Sequence, residues 1–448
     1  MHNFIFRRIA KFRQNYWFWP SAMTLGAVLL GLFLPYLDAR VGAGWIRRVA
    51  FIRATEVDGA RAILTTLAGA TLGVAGVAFS VTIVAVSFAS SNYGPRLIGN
   101  FMADKKNQVV LGVFVATFVY CITVLSTVHA STERSDGAID AFVPQISILF
   151  ALLLTLAAVG ALIAYIHHIP ESINIMNLTA AIGDKLQRSI ISMLDEQDRQ
   201  GREDHDRVDV AAWLKAPQAD DGATLGAQTA GFLQQFDQKS LAALACEERA
   251  QITMHRAPGD FLVAGETIMS ARPVRKGDGS LLKGMRGCYT QGANRTDVQD
   301  VLFLSDQLVE VLGRALSSGV NDPRTAMLCL NWLRAGLCAF ATRAPAQAAT
   351  CDDPVLYRRL TFEDMLDRSF NEMRRYVAGD RNATLHALGV LEDLALAASR
   401  KPMADACVQQ MRRLAKSAQA LLDESVAQDE VAAKLRRALR AVASRAPQ

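Results

Sequence analysis

The side chains of this sequence that could do chemistry are few and lie far apart. Asn321, Asp322, Arg324 and Thr325 crowd polar groups around Pro323 in the stretch RALSSGVNDPRTAM. Asn321 or Asp322 can cap a helix that begins on Pro323. The same residues would build a small-anion site, because the free N–H groups and dipole of a helix N-terminus favour negative charge. His167 and His168 are adjacent at the end of a long apolar run. Neighbouring side chains on a helix point about 100° apart, so the pair does not chelate one metal. It reads either as interfacial polarity or as a pH-sensitive gate, since imidazole titrates near neutrality. His205, His255 and His386 are isolated, and no P-loop, GxGxxG, GxSxG or HExxH motif occurs. The seven cysteines are odd in number, scattered and free of any CxxC pair, which argues against a disulfide framework or a zinc site. The expectation is a protein that is not an enzyme, with no catalytic residue, cofactor or metal.

The elements that carry these residues divide the 448-residue chain in two. Apolar residues are concentrated before about residue 170, and the rest has a soluble composition. Residues 1–169 are expected to form a transmembrane domain with spans near 16–37, 63–91, 109–128 and 143–166. None of these spans contains Asp, Glu, Lys or Arg. Ion-coupled carriers usually keep an ionisable residue in mid-membrane despite its cost, so a coupled transporter is disfavoured. Arg7, Arg8, Lys11 and Arg13 precede the first span and put that end in the cytoplasm. Four spans then return the C-terminal half to the cytoplasm, giving a multi-pass protein of the bacterial inner membrane. The loop 38–62 opposes this order, because it carries Arg40, Arg47, Arg48, Arg53 and Arg61. An amphipathic interfacial helix around Trp45–Arg53 would reconcile the two.

The second span is rich in small residues. Gly69, Gly73, Gly76, Ser80 and Ser87 fall on one helical face. Such a row is either a small-xxx-small packing seam or a pore wall lined by backbone and hydroxyls. Thr117 and Tyr120 lie on one side of the third span and could join it. Tyr93 and Arg96, in the turn after the second span, are gate or interface candidates together with His167 and His168. The lipid bilayer, further copies of the chain and a small anion or ion are the expected partners. Nucleic acid is not expected, because a net charge of +5 comes with no recognition motif or stacking aromatic beside it.

The fold class expected is mainly α: a four-helix transmembrane domain followed by a cytosolic α+β region, with a small β module and a C-terminal helical bundle. Residues 170–200 show apolar positions at helical spacing (Ile175, Leu178, Ile182, Leu186, Ile190, Met193, Leu194) and read as a helical connector. Residues 201–296 hold a polar linker and the β module. There Ala257-Pro258-Gly259-Asp260 has Pro and Gly in the type II positions. The run PGDFLVAGE is similar to the hairpin of carrier-type β-sandwich domains, but no lysine stands on the turn to bear lipoyl or biotin. From 297 to 448 the pattern is helical, with Val298, Val301, Leu302, Leu308, Val311, Leu312 and Leu316 as a core face.

Four segments carry a family resemblance: AGVAFSVTIVAVSFASSNYGPRLIGNFMADKKNQVVLGVFVATFVYC, IHHIPESI, APGDFLVAGE and RTDVQDVLFLSDQLVEVLGRALSSGVNDPRTA. Together they resemble the bacterial family of predicted membrane proteins known as domain of unknown function 2254. The resemblance implies an integral inner-membrane protein with a soluble C-terminal half, and it supplies no reaction. Its motifs Tyr93–Arg96, His167–His168 and Asn321–Thr325 mark the places to look. Ser318 stands where the family form ALSPGIND has a proline. Two functions are expected from these readings. One is an oligomeric ion channel or channel-like protein, lined by spans two and three and gated by its cytosolic domain. The other is a non-conducting sensor or scaffold that binds a protein or a small anion near Asn321–Thr325.

Overall fold

A computed structural model of the chain describes residues 17–41, 56–94, 104–130, 132–134, 137–139, 141–200, 222–272, 279–343 and 354–445. The chain forms two compact units, Met1–Asn177 and Leu178–Gln448.

The first unit holds α1 (Phe18–Val41), α2 (Val57–Tyr93), α3 (Lys105–Leu125) and α4 (Gln145–Ile173). All four are long and apolar enough to cross a membrane. Charged residues sit only near helix ends, as with Asp38, Arg61, Lys106 and Glu171. Between α3 and α4 a short hairpin pairs β1 (Thr132–Arg134) with β2 (Gly137–Ile139). Helix α2 starts earlier than the apolar run does, because nothing from Val57 onward breaks a helix. At 37 residues it is about 55 Å long, well beyond the ~30 Å hydrocarbon core. Helix α3 is the central one and packs against the other three. Phe114, Tyr120, Cys121 and Val124 of this helix are almost completely buried. Helix α2 meets this core through Ala60, Leu64, Ala68, Thr71, Ala75, Ala78 and Thr82, all buried and spaced three or four apart, with Ala89 two turns further on. That spacing is one face of a helix, and the alanines let its backbone come close.

In the second unit the sequence first gives α5 (Ile175–Gln200), of which all but the first three residues belong here. The β module follows, with β3 (Ala223–Gly226), β4 (Gly231–Phe236), α6 (Gln238–Glu247), β5 (Gln251–Met254), β6 (Phe261–Leu262), β7 (Thr267–Arg272), α7 (Gly279–Gly287) and β8 (Tyr289–Gly292). Then come α8 (Val301–Ala315), α9 (Pro323–Ala341), β9 (Val355–Leu356), α10 (Phe362–Val377), α11 (Arg381–Ala397), α12 (Lys401–Leu421) and α13 (Ser425–Ser444). One sheet runs β3-β7-β5-β9 and the other β6-β4-β8. Leu225, Leu233, Ile252, Met254, Leu262 and Met269 fill the core of the module.

The turn at Ala257–Asp260 forms as its residues dictate. Asp260 N–H donates to the Ala257 carbonyl at 3.1 Å, and Gly259 takes φ +98°, a value that favours glycine. It closes no hairpin, however. Strand β5 pairs with β7 and β9, while β6 pairs with β4, so the chain changes sheets at this turn. The likeness to a carrier-domain hairpin therefore fails on register. The helices are capped by nearby acids and hydroxyls: Asp300 before α8, Asp380 before α11, and Thr361 with Asp364 as a capping box before α10. Val298 precedes α8 and is exposed, so it does not join the core face expected of it. The apolar row of α5, Leu178 to Leu194, is buried, and its helix packs closely on α9. Gly183 lies under the Trp332 ring, and Leu186 and Ile190 cover Gly336.

Candidate functional site

The small-residue row of α2 does not pack within its own unit. Gly69, Gly73 and Gly76 are exposed, and a Cβ built on any of them would meet nothing within 4 Å. Ser80 and Ser87 are exposed on the same helix. Within the chain the alanine row does the packing, and the glycine row faces outward. Thr117 and Tyr120 point the other way. Thr117 is fully buried and its hydroxyl donates to the Val113 carbonyl at 2.7 Å. Tyr120 is fully buried and its hydroxyl donates to the Ser147 carbonyl at 3.0 Å. Neither lines an open path within the unit. Tyr93 is the last residue of α2, followed by Gly94 at φ +123°. The Tyr93 side chain and Arg96 lie outside the described residues.

The two histidines part as helical geometry requires. His167 is exposed and sits 3.4 Å from Glu171, one turn on. His168 is mostly buried, and its Nε2 pairs with the Asp104 carboxylate. Asp104 is also the N-cap of α3, accepting from Lys106 N–H at 2.9 Å. The end of α4 is thus tied to the start of α3 by one acid. The opposite ends are tied in the same manner. Asp38, buried near the end of α1, accepts from Ile146 N–H at 2.8 Å, Ser147 N–H at 3.0 Å and the Ser147 hydroxyl at 2.7 Å. Sequence reasoning missed this contact. The available signal was an acid just after one apolar run and a serine at the start of another, over a hundred residues on.

In the second unit, Asp322 caps α9. Its Oδ1 accepts from Arg324 and Thr325 N–H, both at 3.1 Å, and its Oδ2 from the Thr325 hydroxyl at 2.6 Å. Asn321 turns the chain at φ +48°. The chain's own carboxylate therefore occupies the helix N-terminus, and a second anion would meet its charge. At Asn321–Thr325 the structure thus shows a capped helix start. The bond from the Thr325 hydroxyl, then those from the backbone, hold the Asp322 carboxyl below its ordinary value of 3.8. Asp322→Ala should cost about 1 kcal/mol, the usual worth of an N-cap, read as a lower denaturation midpoint. Because the folded value is depressed, the contribution is complete above 3.8 and fades as pH falls below it. The midpoints of wild type and variant should converge in that acid range.

A buried ion network escaped the sequence reading as well. Asp306 and Asp300 are each 3% exposed. Arg295 donates to Asp300 at 2.7 Å and to Asp306 at 2.6 Å, and Arg368 reaches both oxygens of Asp306, at 3.0 and 2.9 Å. Burial pushes the Asp300 carboxyl up, against the pull of Arg295. Two acids and two bases balance, so the cluster reads as a structural clasp between α8 and α10. Among the described residues no three His, Cys, Asp or Glu side chains gather as a metal site. Burial pushes the thiols of Cys329 and Cys407 up to about 12, which leaves them unreactive at neutral pH.

Comparison with known proteins adds the relationship. Two uncharacterized proteins, Rv1290c of Mycobacterium tuberculosis (strain H37Rv) and Mb1321c of Mycobacterium bovis, are each 30% identical to this chain over 290 residues, covering 64% of it and 53% of the relative. The chain spans about half the length of these curated relatives. No solved structure matches. Residues 13–393 match the family described as predicted membrane protein (DUF2254). With four helices able to cross a membrane and a match over most of its length, the chain belongs to the DUF2254 family of predicted membrane proteins.

Proposed function

We propose that this protein is a homo-oligomeric, channel-like protein of the bacterial inner membrane, with its termini in the cytoplasm, in which α2 helices of neighbouring copies meet along Gly69, Gly73, Gly76, Ser80 and Ser87. The observation that carries this reading is the outward aim of that row, with no atom of the chain within 4 Å of a Cβ on its glycines. In lipid, where helices gain nothing from leaving water, small residues promote association because backbones can approach. The lack of any ionisable side chain on α2 between Arg61 and its end favours passive passage over coupled transport. The basic cluster at residues 7–13 supports the orientation. The cytosolic unit assembles and gates the path, and the protein catalyses no reaction. A ligand-sensing role draws less support, since Asp322 fills the anion site on which it rested.

Two measurements test this. In a background without native cysteines, Gly73→Cys should cross-link into dimers on oxidation in membranes, and Leu153→Cys on the exposed face of α4 should not. Purified protein in planar bilayers should carry single-channel currents. Membranes that stay silent across ions, pH and voltage would remove the conduction claim, and absent cross-linking would remove the α2 interface.

A further inference from the structure

The β module carries a polar cleft that the channel reading leaves unused. In the sheet β3-β7-β5, Thr224 pairs with Ser270 and Ser270 with Thr253. Residues directly opposite on neighbouring strands share a face, so three hydroxyls form one row across three strands. The next row, Leu225, Met269 and Met254, points to the other face and into the core. Just past β5, His255 N–H donates to the Ile268 carbonyl at 2.8 Å, and its ring Nε2 lies 2.7 Å from the Ser270 hydroxyl. Beside this row is an open cleft of about 490 Å³ lined by Thr224, His255, Arg256 and Thr267. That volume lies within the range of small-molecule sites, about 300–1,000 Å³.

The lining is rich in donors: two hydroxyls, an imidazole and a guanidinium. Glu266 is already engaged, pairing with Arg256 and accepting from Val263 N–H at 3.0 Å. The Arg256 Nε–H is enclosed and meets no acceptor among the described residues. A guanidinium offers five donors, so one carboxylate does not exhaust it. Burial, then the charges of Arg256 and Arg272, hold the His255 imidazole below its ordinary value, so two positive groups act on this one corner. Hydroxyls set around an arginine match the tetrahedral oxygens of phosphate better than a flat carboxylate.

We propose that this cleft binds the phosphate group of a soluble phosphorylated small molecule, with Arg256 as the charge partner and Thr224, Thr267 and His255 as neutral hydrogen-bonding groups. The site belongs to the second unit alone and does not depend on oligomerisation or conduction. The test is calorimetric titration of inorganic phosphate into the full chain in detergent, at constant ionic strength set with chloride. Saturable binding with one site per chain is expected. Arg256→Gln should weaken it at least tenfold, and Thr224→Val, at an exposed position where folding is not at stake, several-fold. Chloride alone should not compete at the same concentrations. No saturable phosphate binding to the wild type, or equal affinity in wild type and Thr224→Val, would overturn the site. If the phosphate headgroups of anionic lipid nanodiscs displaced inorganic phosphate from the site, the soluble source would be overturned and the phosphate chemistry kept.

Discussion

Asp306→Ala should destabilise the second unit by about 3–5 kcal/mol, the usual cost of removing one partner from a buried ion pair. The reason is what stays behind. Arg368 loses both its bonds to Asp306, and Arg295 keeps only Asp300. At 3% exposure, Asp306 sits where little water can replace it. Arg295, 14% exposed, then keeps its desolvation penalty with one partner instead of two, while Arg368 falls back on Glu372 at 3.8 Å. Asp306→Asn preserves the shape, accepts fewer bonds and should fall in between. The experiment is denaturant unfolding of the full chain, followed by the fluorescence of Trp332, which packs in the same unit. Combining Asp306→Ala with Arg368→Ala should cost well under the sum of the two single changes, because the second removes the charge that the first strands. A loss below 1 kcal/mol, or strict additivity, would mean that the cluster is a solvated surface network.

Asp38→Ala is expected to be the next most harmful change, at about 3 kcal/mol. Asp38 accepts from two backbone N–H groups and one hydroxyl at the start of α4. Hydrogen bonds to a charged group are worth about 1.5–3 kcal/mol each. They are not additive on one carboxylate, which keeps the sum near the value of one strong and one ordinary bond. Asp38→Asn keeps one acceptor oxygen and should retain roughly half of the effect. Thermal unfolding in detergent reads both, with the midpoint falling furthest for alanine. Equal midpoints for wild type and Asp38→Ala would show that the first turn of α4 is held by packing alone.

What the sequence made legible follows the range of the interactions involved. The apolar runs gave the four spans, because span length and hydropathy are local properties. Asp322 was a recognisable helix start for the same reason. The Asp322 stretch also suggested an anion site, and the hydrogen-bond geometry shows the cap. The row from Gly69 to Ser87 was visible as a period, yet a period cannot say whether the partner helix lies in the same chain. The alanine row beside it took the intrachain contact. Asp38 with Ser147, and Asp306 with Arg368, join residues far apart in sequence, where no local rule applies. The same is true of the split of β5 and β6 between two sheets, since the turn joining them has ordinary hairpin chemistry.

Strand β9 bears on how the chain is made. Val355 and Leu356 pair in parallel with Ile252 and Thr253 of β5, although α8 and α9 lie between them in sequence. During synthesis β5 therefore waits with one edge open until two further helices have left the ribosome. An open edge is a template for pairing with another chain. Ending the polypeptide near residue 296, where the sequence alone suggests a boundary, would make that temporary exposure permanent. The β module and the helices after it are in this sense one unit of biosynthesis, completed by a two-residue strand that arrives late.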